Sequence, residues 1–564
     1  MFKIVSITVC VLISMSAWAQ MPHEVLLLVN KQSQPSMKVA NTFAAARQIP
    51  ERNIVYLDIP DKFFGIRATI TPEQFTKLIW EPANAMAKER GIDQQILAWV
   101  YSVDFPIRIK TDANDRKQMS VGGLTFMRNR VPGLSLVEEG TFHSKLFAGP
   151  NGQLKLNLPA LSLGMHRNGL GENVQVPPEV AYLQTGLQDD MPLPNMMLGY
   201  VGQNGNDVET VLETIQRGVT SDHRGQRRAI YFVVSDDVRS KCREWQYEPA
   251  LNELKARGIT ATVTTNFPAG ADNVMGLLMG AEKVDPSQIG SFAPGAMAEH
   301  LTSWSAEFQR PQTKVTEWLK AGATASVGSV VEPYSNHNKF PSARFYVHYA
   351  SGCTMLESLY QSIACPLQTL MLGDPMAKPY AIPMAVRVLG ADSLDSTFTY
   401  VAQAKCQLPN VEFRYSFLLD GREVQTVSES YEFPVRAQEW SDGYHELRAV
   451  ARLKNKVEFS ASVDKGIMIE RLGRGVSILP DIKQLMKYKH AIKVQIKGTE
   501  RPEQLRLLAG GRVIDQVPYS DDARLVLNEL LVGEGPIRIR AVGVYEDGME
   551  VSSAPLATGI DFAQ

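Results

Sequence analysis

The chain has 564 residues, with 58 Lys and Arg against 60 Asp and Glu. This length is too great for a single hydrophobic core, so we expect about two to four domains. The balanced charge excludes both the basic surface of a nucleic-acid-binding protein and a polyacidic tail.

Residues 1–19 have the pattern of a secretory signal peptide. A single Lys3 precedes an apolar run, and Ala17-x-Ala19 comes just before Gln20. The apolar run is short for a membrane anchor, and no later stretch is long and apolar enough to cross a bilayer. The sequence therefore predicts an exported protein, located in the periplasm, on the cell surface or outside the cell.

Four cysteines follow the signal peptide: Cys242, Cys353, Cys365 and Cys406. An oxidising compartment permits disulfides between them, and their spacing is not that of a metal site. Two interpretations stay open, namely disulfides and buried thiols. A catalytic thiol at Cys353, after a glycine turn and before a helix, is a third.

The first half of the chain alternates strands with helices. Ser36 is the expected cap of the first helix, and Thr71-Pro72 opens the second with proline at the first helical position. Strand–helix alternation at this spacing predicts a doubly wound, mostly parallel α/β sheet. The expected strands are Glu24–Asn30, Asn53–Ile59 and Gln95–Val103, and the expected helices end at Arg47 and about Arg90.

Residues 107 to about 195 interrupt this alternation with many Gly, Pro and Asn residues, which predicts a long insertion over one end of the sheet. It is either a binding surface or a decoration without a role. Alternation then resumes. We expect a helix at Asp207–Arg217, a strand at Ala229–Val234 followed by Asp236 and Asp237, a helix at about Arg239–Arg257 and a strand at Ile259–Thr264.

From Met384 onward the apolar residues alternate with polar ones, which is typical of strands. Leu447-Arg-Ala-Val450 is echoed by Ile539-Arg-Ala-Val542, and Glu458-x-Ser460 by Glu550-x-Ser552 at the same offset. The repeat predicts two β-sandwich modules of immunoglobulin-like size, with a partial helix at Pro480–Lys489 between them. The expected organisation is an α/β domain over 20–383 and sandwich modules over 384–474 and 475–564.

The α/β part resembles an uncharacterised family of exported bacterial proteins. The resemblance covers about Glu24–Ala381 and rests on several motifs in order. The motifs are VLLLVN…VANTFAAARQIPERNI, MMLGYVGQNGN, GAMAEHLTS, AGATASVGSVVEPYSNHNKFP and LGDPMAKPY. The resemblance implies no particular activity.

The closing Gly-Asp-Pro and the sheet-then-sandwich order are also similar to the caspase-like cysteine peptidases of the gingipain type. That similarity implies a caspase-like sheet, with a flavodoxin-like sheet as the alternative. Such an enzyme needs a His-Gly after one strand and a Cys after the next. The segments GLLMGAEKV and IGSFAPGAM, taken as the corresponding strand ends, carry neither. The domain is therefore a pseudo-enzyme or uses other groups.

Three apolar runs, Ile289–Phe292, Ala323–Val331 and Leu367–Leu372, each end in a polar loop. Because the ligand site of a parallel sheet lies at the carboxyl ends of its strands, we expect these loops to meet there, with Asp374 after the last run. Asp374 itself is expected to be structural, bonding the backbone of the Gly-Asp-Pro turn.

Four residues are the candidate catalytic groups: His300, Ser303, Glu332 and His337. A helix predicted from Gly295 places Ser303 on the same face as His300, as in a Ser/His hydrolase, although no G-x-S-x-G elbow is present. Glu332 and His337 are candidates for a general base and its orienting partner, or for holding the loop.

His300, His337, His348, Glu332 and Asp236 could supply metal ligands, but no recognised metal spacing is present and the cofactor stays undefined. The sequence leaves two functions open. One is a hydrolase acting on a small molecule, peptide or glycan. The other is a non-catalytic surface or periplasmic binding protein with a pseudo-enzyme α/β domain.

Overall fold

A computed structural model describes residues 21–65, 68–148, 192–225, 228–454, 457, 459–479, 485–486 and 489–561. The predicted signal peptide and residues 149–191 of the predicted insertion lie outside these ranges. No helix among the described residues is long and apolar enough to cross a membrane.

The N-terminal part is built on a mixed ten-stranded sheet in the order β2-β1-β4-β7-β13-β12-β11-β10-β8-β9. A small three-stranded sheet, β3-β5-β6, accompanies it. The strands are β1 Val25–Asn30, β2 Ile54–Leu57, β3 Thr69–Ile70, β4 Ala98–Tyr101, β5 Arg108–Ile109, β6 Met119–Ser120, β7 Asn195–Met197, β8 Ile230–Val233, β9 Ala261–Thr264, β10 Val274–Gly280, β11 Phe292–Leu301, β12 Ala325–Ser329 and β13 Thr369–Gly373.

Two parallel halves of this sheet meet at one antiparallel pair, β12 and β13. Ala325 at the start of β12 lies opposite Gly373 at the end of β13, and Ser329 lies opposite Thr369. The carboxyl ends of the two halves therefore point to opposite edges. The expectation that all three loops share one edge is wrong, because Asp374 lies at the edge opposite Ser303 and Glu332.

Helices cover both faces of the sheet. In β1, Leu26 and Leu28 face one core, while Val25, Leu27 and Val29 face another that α1 and α6 close. This two-sided burial agrees with the predicted doubly wound α/β arrangement. The helices are α1 Gln34–Arg47, α2 Pro72–Phe75, α3 Glu81–Glu89, α4 Val121–Phe126, α5 Leu134–Glu139, α6 Val208–Ser221, α7 Val238–Lys241, α8 Tyr247–Ala256, α9 Val315–Lys320, α10 Arg344–Ala350, α11 Met355–Ser362 and α12 Glu529–Val532.

Three local predictions need correction. The cap of α1 is Ser33, whose hydroxyl accepts the Ser36 N–H, so Ser36 is already inside the helix. The helix expected over Arg239–Arg257 is two helices, α7 and α8. Gly295 opens no helix, because it lies inside the buried strand β11.

From Met384 onward the strands are mostly antiparallel and form sandwich-like layers. One core lies between the β14-β16-β19 sheet and strands β15, β17, β20 and β21. A second lies between the sheet containing β22, β24 and β27 and strands β25, β26 and β28–β30. The strands are β14 Met384–Leu389, β15 Ser393–Leu394, β16 Thr397–Cys406, β17 Phe413–Leu419, β18 Arg422–Ser428, β19 Glu432–Arg436, β20 Gly443–Leu453, β21 Ser460–Ile469, β22 Gly475–Ile478, β23 Leu485–Met486, β24 Lys489–Lys497, β25 Gln504–Ala509, β26 Arg512–Pro518, β27 Arg524–Asn528, β28 Gly535–Val544, β29 Glu550–Ser552 and β30 Leu556–Ile560.

The repeated Leu/Ile-Arg-Ala-Val motif falls on β20 and β28, which belong to one continuous sheet through the pairing of Gly443 with Ser552. The partial helix expected over Pro480–Lys489 is wrong where the structure describes that segment, since Leu485–Met486 is a strand.

A buried ion pair joins the α/β part to the first sandwich. Arg452 on β20 donates from Nη2 to Glu24 Oε1 at 2.8 Å and from Nη1 to Ser416 Oγ at 2.8 Å. Met21 N donates to the other Glu24 oxygen at 2.7 Å. Both charged side chains are at most 2 % exposed, so each depends on the other for compensation.

We expect Arg452→Met to lower the free energy of unfolding by about 3–5 kcal/mol, because it leaves the Glu24 carboxylate buried without its hydrogen-bonded counter-charge. A Glu24→Gln/Arg452→Met double variant should lose less. Urea unfolding measures both effects. The control is Arg436→Met, which removes an exposed ion pair with Glu439 and should have little effect. Wild-type stability in Arg452→Met would contradict the role of the pair.

Candidate functional site

The candidate site lies at the carboxyl ends of the neighbouring strands β11 and β12. Two backbone hydrogen bonds hold the loops beyond them together: Trp304 N donates to Val331 O at 3.2 Å, and Ala306 N donates to Ser329 O at 2.9 Å. The residues that follow the two strands are thereby fixed against each other.

Of the four predicted site residues, Ser303 and Glu332 hydrogen-bond each other. Ser303 Oγ donates to Glu332 Oε1 at 2.8 Å, and Tyr334 N donates to the same oxygen at 3.0 Å. One carboxylate oxygen therefore joins the end of β11 to the loop after β12, whereas Ser303 itself is only 7 % exposed.

His300 is hydrogen-bonded to Trp318 rather than to this pair. It sits in β11 rather than on a helix, it is 1 % exposed, and its Nδ1 accepts the indole N–H of Trp318 at 2.9 Å. Burial, assisted by the charges of Lys314 and Arg243, lowers the pKa of His300 to about 3. The imidazole is neutral at physiological pH and poorly suited to accept a proton.

His337 also serves the packing of its loop. Its ring contacts Trp245 edge-on with centroids 5.3 Å apart, and burial lowers its pKa, as do Arg243 and His143. Neighbouring Asn336 donates from its side chain to Glu139 O at 2.6 Å, which ties the loop to the C-terminal end of α5. Among the described residues, neither His300 nor His337 hydrogen-bonds Ser303 or Glu332.

Glu299, which precedes His300 in β11, forms a buried ion pair with Arg243. Arg243 Nη1 donates to Glu299 Oε2 at 2.6 Å, and Arg243 Nη2 donates to Pro341 O at 2.7 Å. Burial raises the pKa of Glu299 to about 7 against the opposing effect of Arg243. The pair anchors the loop after β12 to the centre of the sheet.

Two aromatic residues flank the Ser303–Glu332 hydrogen bond in left-handed backbone conformations. Trp304 has φ 52° and Tyr334 has φ 56°, a conformation that bulky residues adopt at a penalty of about 1–3 kcal/mol. Lys314 Nζ donates to Trp304 O at 2.8 Å and so helps to hold that conformation. Sequence reasoning missed both residues, because positive φ at a non-glycine position leaves no sequence signal.

Each aromatic ring has an arginine over it. The Arg310 guanidinium carbon lies 5.0 Å from the Trp304 ring centroid, and that of Arg116 lies 5.0 Å from the Tyr334 ring centroid. Such cation–π contacts orient both partners. Tyr334 nevertheless keeps 45 % of its surface exposed, which makes it available to a ligand.

A polar cleft of about 590 Å³ is lined by Asp115 and Gln118, which lie on either side of Arg116 in the chain, and by Glu307, whose N–H donates to Trp304 O at 3.1 Å. Its walls come from β3, β5, the turn before β6 and the loop after β11. The lining residues are Ala68, Thr69, Ile107, Arg108, Lys110, Asp115, Gln118, Glu307 and Gln309.

The remaining candidate residues, Asp374, Asp237 and Asp236, make contacts that stabilise the fold. Asp374 Oδ1 accepts Met376 N at 3.0 Å, which is the turn bond that the sequence predicts, and its other oxygen pairs with buried Arg47. Asp237 caps α7, and Asp236 pairs with Lys241 at 2.9 Å. Within the described ranges, no group of three or more His, Cys, Asp or Glu residues is placed to hold a metal ion.

The cysteines form no disulfide in the described part of the chain. Cys353 is fully buried, and burial raises the pKa of its thiol well above the usual range. Of the three interpretations, the burial favours a buried thiol over a catalytic one at Cys353, because the absence of solvent disfavours the thiolate.

No family model matches the chain. No curated protein sequence matches it either. A solved structure described as a protease matches with TM-score 0.36 and 10 % identity, covering 79 % of this chain and 98 % of the other.

Two further structures match a smaller part of the chain. The fibronectin(III)-like modules of Clostridium thermocellum CbhA give TM-score 0.14 and 14 % identity over 31 % of this chain and 91 % of theirs. The Bacteroides ovatus mixed-linkage glucan utilization locus protein SGBP-B, in complex with a heptasaccharide, gives TM-score 0.17 and 16 % identity over 29 % and 41 %. These TM-scores are too low to assign a shared fold or function.

The buried neutral state of His300 predicts a pH-dependent stability. Between pH 6.5 and about 3 the unfolded chain binds a proton at His300 that the folded chain does not, so this stability is complete above pH 6.5 and is lost as pH falls. From pH 7.5 to pH 5 the loss due to this residue should be about 2 kcal/mol. His300→Gln, whose amide oxygen can still accept the Trp318 N–H, should show a shallower acid dependence in urea unfolding.

His445→Gln serves as a control, because the stability contributed by His445 depends on pH with the opposite sign. Burial alone would lower the pKa of His445, but its hydrogen bond to Asp420 raises it. Its contribution is present at low pH and is lost as pH rises through the folded-state pKa. Equal acid slopes for wild type and His300→Gln would contradict the assignment of His300.

Proposed function

We propose that this chain is an exported, non-catalytic binding protein that holds its ligand at the edge formed by β11 and β12. In this proposal, residues 20–383 are an α/β domain with a pseudo-enzyme character, and 384–474 and 475–564 are immunoglobulin-like modules that act as spacers or adhesive units. The observation that carries the proposal is that both candidate histidines are engaged away from Ser303 and Glu332. His300 bonds Trp318, and His337 packs on Trp245.

The bonding of Glu332 supports a holding role. Its Oε1 accepts both the Ser303 hydroxyl and the Tyr334 backbone N–H, and both bonds join loops. A general base must be free to take the proton of its nucleophile and is usually oriented by a further group. Here the carboxylate orients the loop beside a polar cleft, which is what a binding site requires.

A caspase-like ancestry of the α/β domain is compatible with this proposal. The gingipain-type reaction needs an imidazole that activates a thiol, and no cysteine or His-Gly pair follows β10, β11 or β12. A caspase-like sheet without this dyad cannot carry out that reaction.

The second candidate is a hydrolase in which Ser303 is the nucleophile and Glu332 its base. The 2.8 Å hydrogen bond from Ser303 Oγ to Glu332 Oε1 specifically favours it, because this is the contact that a serine needs for proton transfer. Its substrate would be a peptide, an ester or a glycan.

Turnover distinguishes the two candidates. The full chain from Gln20 should show no hydrolysis of a panel of peptide, ester and glycan substrates, with or without added divalent metal. Activity abolished by Ser303→Ala and by Glu332→Gln would overturn the binding proposal. The matched control is Ser287→Ala, which changes a serine on an exposed turn outside the site. Activity lost in the site variants but retained in the control would establish the hydrolase.

A further inference from the structure

We infer that the ligand of this edge is a neutral oligosaccharide, held in the polar cleft and stacked against the neighbouring aromatic rings. The inference rests on the proposed function and names its ligand class. Three features of the described residues carry it: the charge balance of the cleft, the exposed aromatic ring beside it, and the fixed backbone that presents this ring.

The charges that line the cleft cancel. Arg108 and Lys110 on one wall are matched by Asp115 and Glu307. A nucleic acid or an acidic peptide would require an excess of cations, which the residues lining the cleft do not have, since Arg116 and Arg310 lie over the aromatic rings instead. The balance favours a ligand without net charge.

The same side chains supply both kinds of hydrogen-bonding group. Arginine and lysine only donate, ionised aspartate and glutamate only accept, and the amide of Gln118 does both. A sugar hydroxyl is at once a donor and an acceptor, so a chain of sugars satisfies alternating donors and acceptors along one wall. The Arg108 side chain donates from Nε to Thr69 at 3.2 Å, which fixes its guanidinium at the cleft.

The aromatic residues supply the apolar part of the contact. The C–H face of a sugar ring is apolar and packs against an aromatic ring, whereas the rim of hydroxyls needs polar partners. Tyr334 is 45 % exposed, and Arg116 over its ring precedes Gln118 in the cleft wall by two positions. Trp304, with Arg310 over its ring, lies just before Glu307 of the other wall.

Both aromatic residues are held in place before a ligand arrives. Glu332 accepts the Tyr334 N–H, and Lys314 donates to the Trp304 carbonyl. A site that is already ordered loses less conformational entropy on binding, so even weak stacking and hydrogen bonds can give measurable affinity. In this inference, the left-handed conformations of Trp304 and Tyr334 serve to present the two rings to the ligand.

A neutral peptide is the principal competing ligand. Peptides commonly bind by adding a strand to an open sheet edge or by filling an apolar groove. Here β5 is paired on both sides, with β3 and with β6, the edge strand β3 has only two residues, and the cleft is predominantly polar. The observations therefore favour a sugar chain over a peptide chain.

Calorimetric titration of the full chain from Gln20 tests the inference. The probes are four neutral hexasaccharides, namely cellohexaose, mannohexaose, maltohexaose and chitohexaose, and a set of uncharged hexapeptides. At least one hexasaccharide should bind, and Tyr334→Ala should weaken its binding by about tenfold, because an aromatic anchor at the centre of a contact contributes this much. Lys110→Met, on the cleft wall, should also weaken it.

Tyr431→Ala is the matched control, since Tyr431 is 51 % exposed but lies in the first sandwich. It should leave the affinity unchanged. Thermal unfolding of each variant verifies that the fold is intact, which is expected because Tyr334 and Lys110 have exposed side chains.

The possible outcomes distinguish failure of the assigned ligand class from failure of the proposed function. Hexapeptide binding that depends on Tyr334, without hexasaccharide binding, would overturn the sugar assignment and leave the binding role standing. Hexasaccharide binding together with Ser303-dependent hydrolysis would preserve the sugar and overturn the non-catalytic role. Sugar binding unaffected by Tyr334→Ala and Lys110→Met would place the ligand elsewhere. Failure of every probe to bind would overturn the inference.

Discussion

The antiparallel pairing of β12 with β13 controls where polar side chains can meet in this protein. The two parallel halves of the sheet run in opposite directions on either side of this pair. The loop that follows a strand begins at the carboxyl end of that strand. The loops after β11 and β12 therefore lie at one edge of the sheet, while the Gly-Asp-Pro turn after β13 lies at the opposite edge. The candidate site and the buried Arg47–Asp374 contact are thereby separated.

At the first of these edges, one carboxylate oxygen organises the loops. Glu332 Oε1 accepts hydrogen bonds from Ser303 and from the Tyr334 backbone, and the adjoining Lys314 holds the carbonyl of Trp304. These contacts keep two aromatic residues in left-handed conformations next to a charge-balanced cleft. The same carboxylate oxygen that accepts the hydroxyl of a candidate serine nucleophile also accepts the backbone N–H of the exposed tyrosine, and a turnover measurement distinguishes these two roles.

The sandwiches are packed against the α/β part. Glu24 and Arg452 are both buried, and each charge is compensated by the other. Separating the two parts would therefore expose these charges to solvent or leave one of them buried without its partner. The sheet that carries β20 also continues into the second sandwich through β29. The junction can therefore hold the sandwiches in a defined position relative to the α/β part.

The sequence by itself determined strands β1, β2, β4, β8 and β9, helices α1 and α6, the change to alternating strands after Met384 and the structural turn at Asp374. These features are local, because they depend on periodicity, proline and capping residues. Only the tertiary structure decided the direction of β13, the neutral buried state of His300 and the strand at β11. Ala, Met, Glu and Leu in GAMAEHL favour a helix intrinsically, but burial between β10 and β12 overrides that preference. Likewise, contact between Ser303 and Glu332 depends on the pairing of distant strands, which no local pattern encodes.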